Sequence, residues 1–152
     1  MSNYSLMFVS MNKDIISRYN QTNHFGELLG MKYEIHETGE ISYHVEVKKD
    51  HLATTTAAHG GFLAAVMDAV VGVAALSQST TENKVVSTVE MKLNFLQPAF
   101  LGDQLTGKGK VLKHGKRIMI VEGKIYNQHN EILAVSLATM NAYPFEKSDM
   151  ID

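Results

Sequence analysis

The pattern of apolar and polar positions changes its period along the chain. Within residues 12–30, apolar side chains recur at helical spacing, so we predict a helix over about 12–30. Residues 31–48 then alternate at every second position on both sides of Thr38-Gly39, which predicts two strands joined by a turn. A nearly continuous apolar run follows and predicts a long helix over about 59–77.

The rest of the chain has the period of β-strands. Val89, Met91 and Leu93 alternate with polar residues, this strand ends at Gln97-Pro98, and three further alternating segments follow. Turn-like stretches separate these segments, and they fall at Gly102-Asp103, at His114-Gly115 and at 127–130. Residues 146–152 lack such a pattern, and we predict a disordered tail there.

These elements fit one arrangement. The connections between the later strands are as short as those of hairpins, which makes the sheet mostly antiparallel. A helix that is apolar almost all round must be surrounded by protein, and a sheet wrapped around it meets that need. No internal repeat or Pro/Gly-rich linker divides the sequence. We therefore predict one α+β domain over residues 1–152, with an antiparallel β-sheet wrapped around a long central α-helix.

Charge and composition exclude several classes of function. The chain has a net charge of -2, and its largest basic cluster spans only residues 113–117, so it lacks the basic footprint of a nucleic-acid-binding protein. It contains no cysteine, which excludes disulfides and thiolate chemistry and fits a reducing compartment. The N-terminal stretch lacks the pattern of a secretory signal. We expect a cytoplasmic protein.

One carboxylate interrupts the long apolar run. Between Gly60 and Leu76, only Asp68 has a side chain with a charge or a hydrogen-bonding group. A charge near the centre of a run shorter than the roughly 20 apolar residues of a membrane span disfavours such a span. Because burial of an unpaired carboxylate is costly, Asp68 is either a core group satisfied by a neighbouring element or part of a functional site. The residues alone leave both interpretations open.

Three segments of the chain resemble one family. They read HGGFLAAVMDAVVGVAA, which contains Asp68, then STVEMKLNFLQPAFLGD, and then VLKHGKRIMIVEGKIYN. From about Phe25 to Tyr143, the chain resembles the hotdog-fold acyl-CoA thioesterases of the phenylacetate-degradation type. HGG with an acid eight residues after its first glycine, followed by a T-x-E-x-K-x-N-F-L-x-P strand, is a specific combination. The resemblance implies a hotdog fold, acyl-CoA hydrolysis, and active sites at subunit interfaces, often within homotetramers.

The residues of this pattern suit thioester chemistry. A helix N-terminus carries unsatisfied N–H groups and a partial positive charge. Gly60 and Gly61 place bare backbone there, so a thioester carbonyl can be polarised and its developing oxyanion held. Asp68 is then a general base for water or a nucleophile that forms a mixed anhydride. This chemistry needs no metal or redox cofactor, and coenzyme A enters as part of the substrate.

The spacing of these residues predicts that two copies of the chain share each site. Gly60 and Asp68 are eight residues apart, which is about 12 Å along a helix that rises 1.5 Å per residue. One helix therefore cannot aim both groups at one carbonyl carbon, whereas two helices that run antiparallel across a two-fold axis can. We predict a homo-oligomer, a dimer or a dimer of dimers, with an acyl-CoA substrate and neither nucleic acid nor membrane as partner.

Further positions beside the motif are candidates for the site. The resemblance implies that the Thr88 hydroxyl positions the attacking water. Strict alternation from Val89 instead puts Ser87 on the core face; we follow the resemblance, and a β-bulge or the partner subunit would reconcile the two. His59 and Gly61 are predicted to bind substrate, and capping of the loop is the alternative role for His59.

A basic pair flanks one of the predicted hairpin turns. Lys116 and Arg117 are predicted to bind the phosphates of coenzyme A, and a solvated turn is the alternative. No metal site is predicted, because the histidines lack ligand spacing and cysteine is absent. Phe62, Leu63 and Met67 are candidates for shaping an acyl pocket.

The sequence departs from the family pattern just before HGG. The family commonly has an asparagine six residues before the histidine and a glycine three before it, where this chain has Ala53 and Thr56. Half of the usual oxyanion site is then missing, unless Thr54 or Thr55 substitutes through a hydroxyl. We therefore predict an acyl-CoA thioesterase, with a non-catalytic acyl-CoA-binding module as the alternative. A hotdog dehydratase or hydratase is disfavoured, because its motif is absent.

Overall fold

The structure is a computed structural model that describes residues 10–151, and it contains one antiparallel sheet around a central helix. The predicted α+β arrangement is confirmed. The helices are α1 (Lys13–Thr22), α2 (His24–Leu29) and α3 (Gly60–Ser79), and the strands are β1 (Lys32–Glu37), β2 (Glu40–Glu46), β3 (Lys84–Phe95), β4 (Gln104–His114), β5 (Ile118–Tyr126) and β6 (Ile132–Pro144). Most of the stretch on which the signal prediction rests, and the last residue of the predicted tail, lie outside the described residues.

The sheet places the strand after α3 at one of its edges. The strand order is β1-β2-β4-β5-β6-β3, and each neighbouring pair is antiparallel. Within residues 10–151, β3 pairs with β6 alone, so its other edge has no strand beside it. A short turn joins α3 to β3, so the strand runs back along the helix in the opposite direction. The free edge of β3 therefore lies beside the middle of α3.

Packing against the sheet explains the apolar run in α3. By length and composition, the segment Gly60–Glu82 could cross a membrane, with a mean hydropathy of 1.8. In the fold, 61% of the most apolar 18-residue stretch of this segment is buried inside the protein. Val66, Met67 and Val70 have no exposed surface and belong to the main hydrophobic core. The segment is therefore accounted for as the core helix of this sheet.

Glycines in β4 and β5 allow α3 to lie close to the sheet. A Cβ at Gly109 would lie 2.6 Å from the backbone oxygen of Val70, and one at Gly123 would lie 2.5 Å from the sulfur of Met67. Both distances are far below van der Waals contact. These strand positions therefore have no room for a side chain, whatever its polarity.

Two glycine-to-alanine variants should shift stability in opposite directions. Gly109→Ala should lower the free energy of unfolding by about 1–3 kcal/mol, because the new methyl group overpacks the contact with α3. Gly72→Ala should raise it by about 1 kcal/mol, because alanine is the better helix former and its Cβ would meet no heavy atom within 4 Å. Urea unfolding at one protein concentration checks both values, and a Gly109→Ala variant as stable as the wild type would contradict the close packing.

The predicted N-terminal helix over 12–30 is interrupted, which corrects that prediction. Asn23 ends α1 and begins α2, since its backbone leaves the helical region and its side-chain oxygen accepts a hydrogen bond from the Gly26 N–H at 3.1 Å. Gly30 ends α2 with a φ of 73°, a left-handed conformation that glycine adopts without strain. Asparagine favours such a cap because its side chain competes for backbone hydrogen bonds.

The predicted disordered tail is also wrong over the described residues. Phe145–Lys147 forms one turn of 3-10 helix. Met150 and Phe145 pack against a small hydrophobic cluster that contains Ile15 and Val85. The tail lacks periodicity because single apolar side chains anchor it, and a short segment of this kind gives no repeating pattern.

Candidate active site

Asp68 lies on the exposed side of α3 and accepts a hydrogen bond from Thr88. The Thr88 hydroxyl donates to Asp68 Oδ1 at 2.7 Å, the usual length of an O–H···O hydrogen bond. The carboxylate is exposed in the protomer, so the interpretation of Asp68 as a sealed core group is wrong. The two predicted catalytic side chains are therefore brought together, across α3 and the edge strand.

A β-bulge explains why Thr88 rather than Ser87 faces α3. Thr88 pairs with Met140 and Glu90 pairs with Thr139, so Val89 has no partner of its own on β6. The extra residue shifts by one position which side chains of β3 face α3. Val89 is accordingly 61% exposed, which corrects the expectation that it faces the core. The bulge thus reconciles the alternation of the strand with the position of Thr88.

The HGG segment begins α3 and leaves one amide free. His59 is the N-cap, and its Nδ1 accepts a hydrogen bond from the Gly61 N–H at 2.7 Å. The N–H groups of Phe62 and Leu63 bond to the His59 carbonyl oxygen. Among residues 10–151, the Gly60 N–H has no hydrogen-bond acceptor. The motif therefore presents the Gly60 amide as a free donor at a helix N-terminus.

The protomer does not bring this amide to the carboxylate. The cavity beside Asp68 has none of His59, Gly60 or Gly61 in its wall. A separate depression touches Gly60 and is lined otherwise by residues such as Phe95 and Pro98. The separation follows from the eight-residue spacing on one straight helix. A complete site made of both groups requires a second chain.

A cavity of about 310 Å³ opens beside Asp68 and Thr88. Its wall comes from α1, α2, α3, β3, the end of β6 and the C-terminal segment. Phe62, Leu63 and Met67 do not line this cavity, although Leu63 does line the depression at Gly60. They are buried in the main core, since they lie on the sheet-facing side of α3.

Tyr19 of α1 and the helix-cap residue Asn23 place polar side chains in this wall, and neither belongs to a recognisable sequence motif. The Asn23 amide donates to the Tyr19 hydroxyl at 3.1 Å. Burial raises the pKa of Tyr19, and the negative charge of Asp68 raises it further, although hydrogen bonds from neighbouring side chains partly oppose both effects. The Tyr19 hydroxyl is thus a neutral donor near the carboxylate. Tyr19 and Asp68 line one cavity although they are distant in sequence, which periodicity does not reveal.

Lys116 and Arg117 line a second cavity, of about 440 Å³. Lys84 and Lys147 complete the basic wall, and sequence analysis missed both because they come from distant segments. Arg117 donates to the side-chain oxygen of Asn141 at 3.2 Å, and Lys84 donates to the Lys116 carbonyl oxygen at 3.0 Å. Lys84 is also paired with Glu82, so Lys116, Arg117 and Lys147 are the cations that the cavity offers to an anionic ligand.

The loop before HGG has no amide side chain in place of the family's asparagine. Ala53 is exposed, and the Thr54 hydroxyl oxygen accepts hydrogen bonds from the Thr56 and Ala57 N–H groups, at 3.3 and 2.9 Å. Thr54 therefore shapes the loop, and its hydroxyl proton stays available for another acceptor. Within the described residues, no group of three His, Asp or Glu side chains is placed to hold a metal ion.

Comparison with known proteins identifies the family. The thioesterase superfamily matches residues 56–134, about half of the chain, a span that contains HGG, Asp68 and Thr88. A provisionally named esterase of Saccharolobus solfataricus is 33% identical over 57% of this chain, and the match spans only 59% of that relative. The medium/long-chain acyl-CoA thioesterase YigI of Escherichia coli is 19% identical over 76% of this chain and 83% of its own.

Solved structures share the fold. The PaaI protein from the phenylacetic acid degradation operon of E. coli superposes with a TM-score of 0.78 and 22% identity, over 86% of this chain and 91% of that one. A hypothetical thioesterase from Streptococcus pneumoniae, solved with coenzyme A, superposes with a TM-score of 0.69 and 24% identity, over 75% and 89%. The fold, the motif segment and the family match lead to one conclusion: the chain belongs to the thioesterase superfamily and is a hotdog-fold hydrolase of thioesters.

Proposed function

We propose that this enzyme hydrolyses acyl-CoA thioesters at a site that combines Asp68 and Thr88 of one subunit with Gly60 of a second copy. The observation that carries the proposal is the 2.7 Å hydrogen bond from Thr88 to an exposed Asp68 carboxylate. This bond fixes one carboxylate oxygen and leaves the other free to accept a proton from water. The adjoining cavity gives a substrate room beside that oxygen.

The reaction begins when Asp68 accepts a proton from a water molecule. The water oxygen bonds to the thioester carbon, and the carbonyl oxygen becomes an oxyanion that accepts a hydrogen bond from the Gly60 N–H of the second copy. Collapse of this intermediate breaks the C–S bond, and Asp68 returns its proton to the departing thiolate. Direct attack by Asp68, with a mixed anhydride hydrolysed in a second step, is the other route open to the same residues.

The free edge of β3 supports a dimer as the functional unit. This strand is 12 residues long and exposes Val89 and Phe95, with exposed fractions of 61% and 52%. Long edge strands with exposed apolar side chains tend to pair with another chain. Thr88 lies on this edge, so a second copy docked there comes close to the Asp68 site. A dimer, or a dimer of such dimers, provides the missing Gly60 amide.

Coenzyme A is the carrier that we propose. The related E. coli enzyme is named an acyl-CoA thioesterase, and the S. pneumoniae structure was solved with coenzyme A. The basic cavity around Lys116 and Arg117 supplies cations of the kind that bind phosphates. We further propose that the enzyme works in the cytoplasm, where acyl-CoA thioesters are found, with no metal or redox cofactor.

Loss of one cation from the basic cavity should weaken substrate binding and leave the chemical step alone. Arg117→Ala is expected to raise KM about tenfold, equivalent to one charge-assisted hydrogen bond, with kcat nearly unchanged. Lys110→Ala is the matched control, because Lys110 pairs with Glu40 at 3.3 Å and lies outside that cavity. Steady-state kinetics of both variants test this, and equal KM values for them would remove the basic cavity from the binding site.

Release of free thiol from a panel of acyl-CoAs tests the proposed function directly. Short-, medium- and long-chain esters and an aryl-acyl ester should be offered to the wild-type enzyme, with acyl carrier protein esters as a second series. Turnover of CoA esters supports the proposal. The alternative is a non-catalytic acyl-CoA-binding module, which the missing asparagine at position 53 favours. Tight binding of every CoA ester without thiol release would establish that alternative.

A further inference from the structure

The cavity beside Asp68 follows one face of α3 towards the end of the helix. Ala65, Ala69, Gly72 and Leu76 form its helical wall, and a spacing of three and four residues puts them on one side. Asp68 lies on the same side of the helix, between Ala65 and Ala69. The helix thus contributes a shallow floor of small side chains that begins at the carboxylate.

The apolar side chains of Leu76 and Met150 stand at the far end of this cavity, next to the carboxylate of Asp149. Leu76 is 4% exposed and packs in the cluster that also holds Val85. Met150 packs against the same cluster and lines the same cavity. The C-terminal segment is held over α1, where Arg18 donates to the Met150 carbonyl oxygen at 3.3 Å. The cavity therefore runs from Asp68 to Leu76 and Met150, and Asp149 is a second carboxylate in its wall, beside Met150.

Gly72 lies midway along the floor and faces empty space. A Cβ at this position would meet no heavy atom within 4 Å, whereas a Cβ at Gly109 or Gly123 would collide with α3. Glycine in the interior of a helix costs about 1 kcal/mol of stability relative to alanine. Packing within the protomer does not explain this glycine, but a ligand that lies against the helix would.

We propose that this cavity binds the acyl group of the substrate and that Leu76 and Met150 set its maximum length at about ten carbons. The inference rests on the proposed function and adds the class of substrate, medium-chain acyl esters. A cavity of about 310 Å³ has room for a chain of several methylene groups.

The distance from Asp68 to Leu76 limits the length of the acyl chain. Asp68 and Leu76 are eight residues apart, about 12 Å along the helix axis. An extended chain advances about 3.5 Å over three bonds, as a polypeptide residue does, so 12 Å accommodates about ten bonds. This length corresponds to a medium-chain acyl group.

The chemistry of the walls favours the acyl chain over the pantetheine arm of coenzyme A. The pantetheine arm contains two amides that need hydrogen-bonding partners and must leave the site towards solvent. Tyr19 of α1 and the helix-cap residue Asn23 are polar groups of the cavity wall, and they are already bonded to each other. The charge of Asp68 also acts on Tyr19. Beyond them, Gly72 has no side chain, and the side chains of Leu76 and Val86 offer no hydrogen bond. Asp149 beside Met150 is exposed to solvent, so the apolar surface left by Leu76 and Met150 suits an alkyl chain.

Gly72→Leu tests the inference by shortening the cavity. We expect kcat/KM for octanoyl- and decanoyl-CoA to fall at least about tenfold, while butanoyl-CoA is hydrolysed at the wild-type rate. Gly72→Ala should give a smaller loss with the same dependence on chain length, since one methyl group fills less of the cavity, and Lys110→Ala, which lies outside the cavity, is the control. Met150→Ala should do the opposite and improve dodecanoyl-CoA relative to octanoyl-CoA. Each variant is compared with the wild type by thiol release and by size-exclusion chromatography.

The other outcomes are distinguishable from one another. If the wild type hydrolyses no acyl-CoA, the proposed function fails. If the wild type is active and Gly72→Leu lowers kcat/KM equally for every chain length and weakens inhibition by free coenzyme A, the cavity holds the pantetheine arm and the inference is overturned. It is overturned equally if Gly72→Leu changes the oligomeric state, because that face of α3 is then a subunit contact. An unchanged chain-length profile also rejects it.

Discussion

Replacement of Asp68 by asparagine should lower kcat for acyl-CoA hydrolysis by about 10²–10⁴-fold, the range that general-base catalysis supplies. Asparagine has nearly the same shape and can still accept the hydrogen bond from Thr88, so the variant changes the charge and little else. An amide cannot take a proton from water and cannot form a mixed anhydride. Both routes of the proposed reaction are therefore lost together, and thiol release at saturating substrate measures the loss.

The same variant needs a matched control and a check of its fold. Asp68 is exposed in the protomer, so its replacement should leave the thermal midpoint and the inhibition constant of free coenzyme A near the wild-type values. Asp68→Glu is the charge-preserving control, and we expect partial activity from a carboxylate that is displaced by one methylene. Near-normal turnover by a well-folded Asp68→Asn variant would eliminate the mechanism, whatever the substrate is.

Periodicity was sufficient to predict the arrangement of the fold. Side chains that alternate along a strand or recur along a helix report which face is buried, and this information is local in the sequence. The central helix was expected over about 59–77 and spans Gly60–Ser79, and the antiparallel sheet follows from the short turns between its strands. The helix over 12–30 was predicted too long, because two apolar stripes suggested continuity across the cap at Asn23.

The residues around the candidate site were harder to predict, because long-range contacts decide them. Alternation alone put Ser87 on the inner face, and only the register against β6 shows that Val89 is an extra residue. The resemblance gave Thr88 where the local pattern did not. Met150 and Tyr19 reach the same cavity from opposite ends of the chain, and no spacing rule connects residues 131 positions apart.

Gly60→Pro should lower kcat about 10²–10³-fold, the usual effect of removing one oxyanion donor. Gly60 is the first residue of α3, and proline is well tolerated at this position because its missing N–H is not needed within the helix. His59, which precedes it, has φ and ψ of -67° and 137°, a conformation compatible with a following proline. The substitution therefore removes one donor with little change to the backbone.

Gly60→Ala is the control for the added side chain. A Cβ at this position would lie 3.6 Å from the Phe95 ring, an ordinary contact, and the N–H would remain. We expect the alanine variant to stay within a few-fold of wild-type kcat. Equal losses in the alanine and proline variants would assign the effect to crowding against Phe95 and remove Gly60 from the oxyanion site.

Co-expression of the two inactive chains tests whether each site is shared between subunits. In a dimer of one Asp68→Asn chain and one Gly60→Pro chain, the intact carboxylate of the second chain faces the intact amide of the first. If chains pair at random, half of the dimers are mixed and each has one good site, so about a quarter of wild-type activity should return. A site confined to one protomer predicts no recovery, because every chain then lacks one group. Since Asp68 and Gly60 lie about 12 Å apart on one helix, recovery of activity is the result that the geometry of α3 requires.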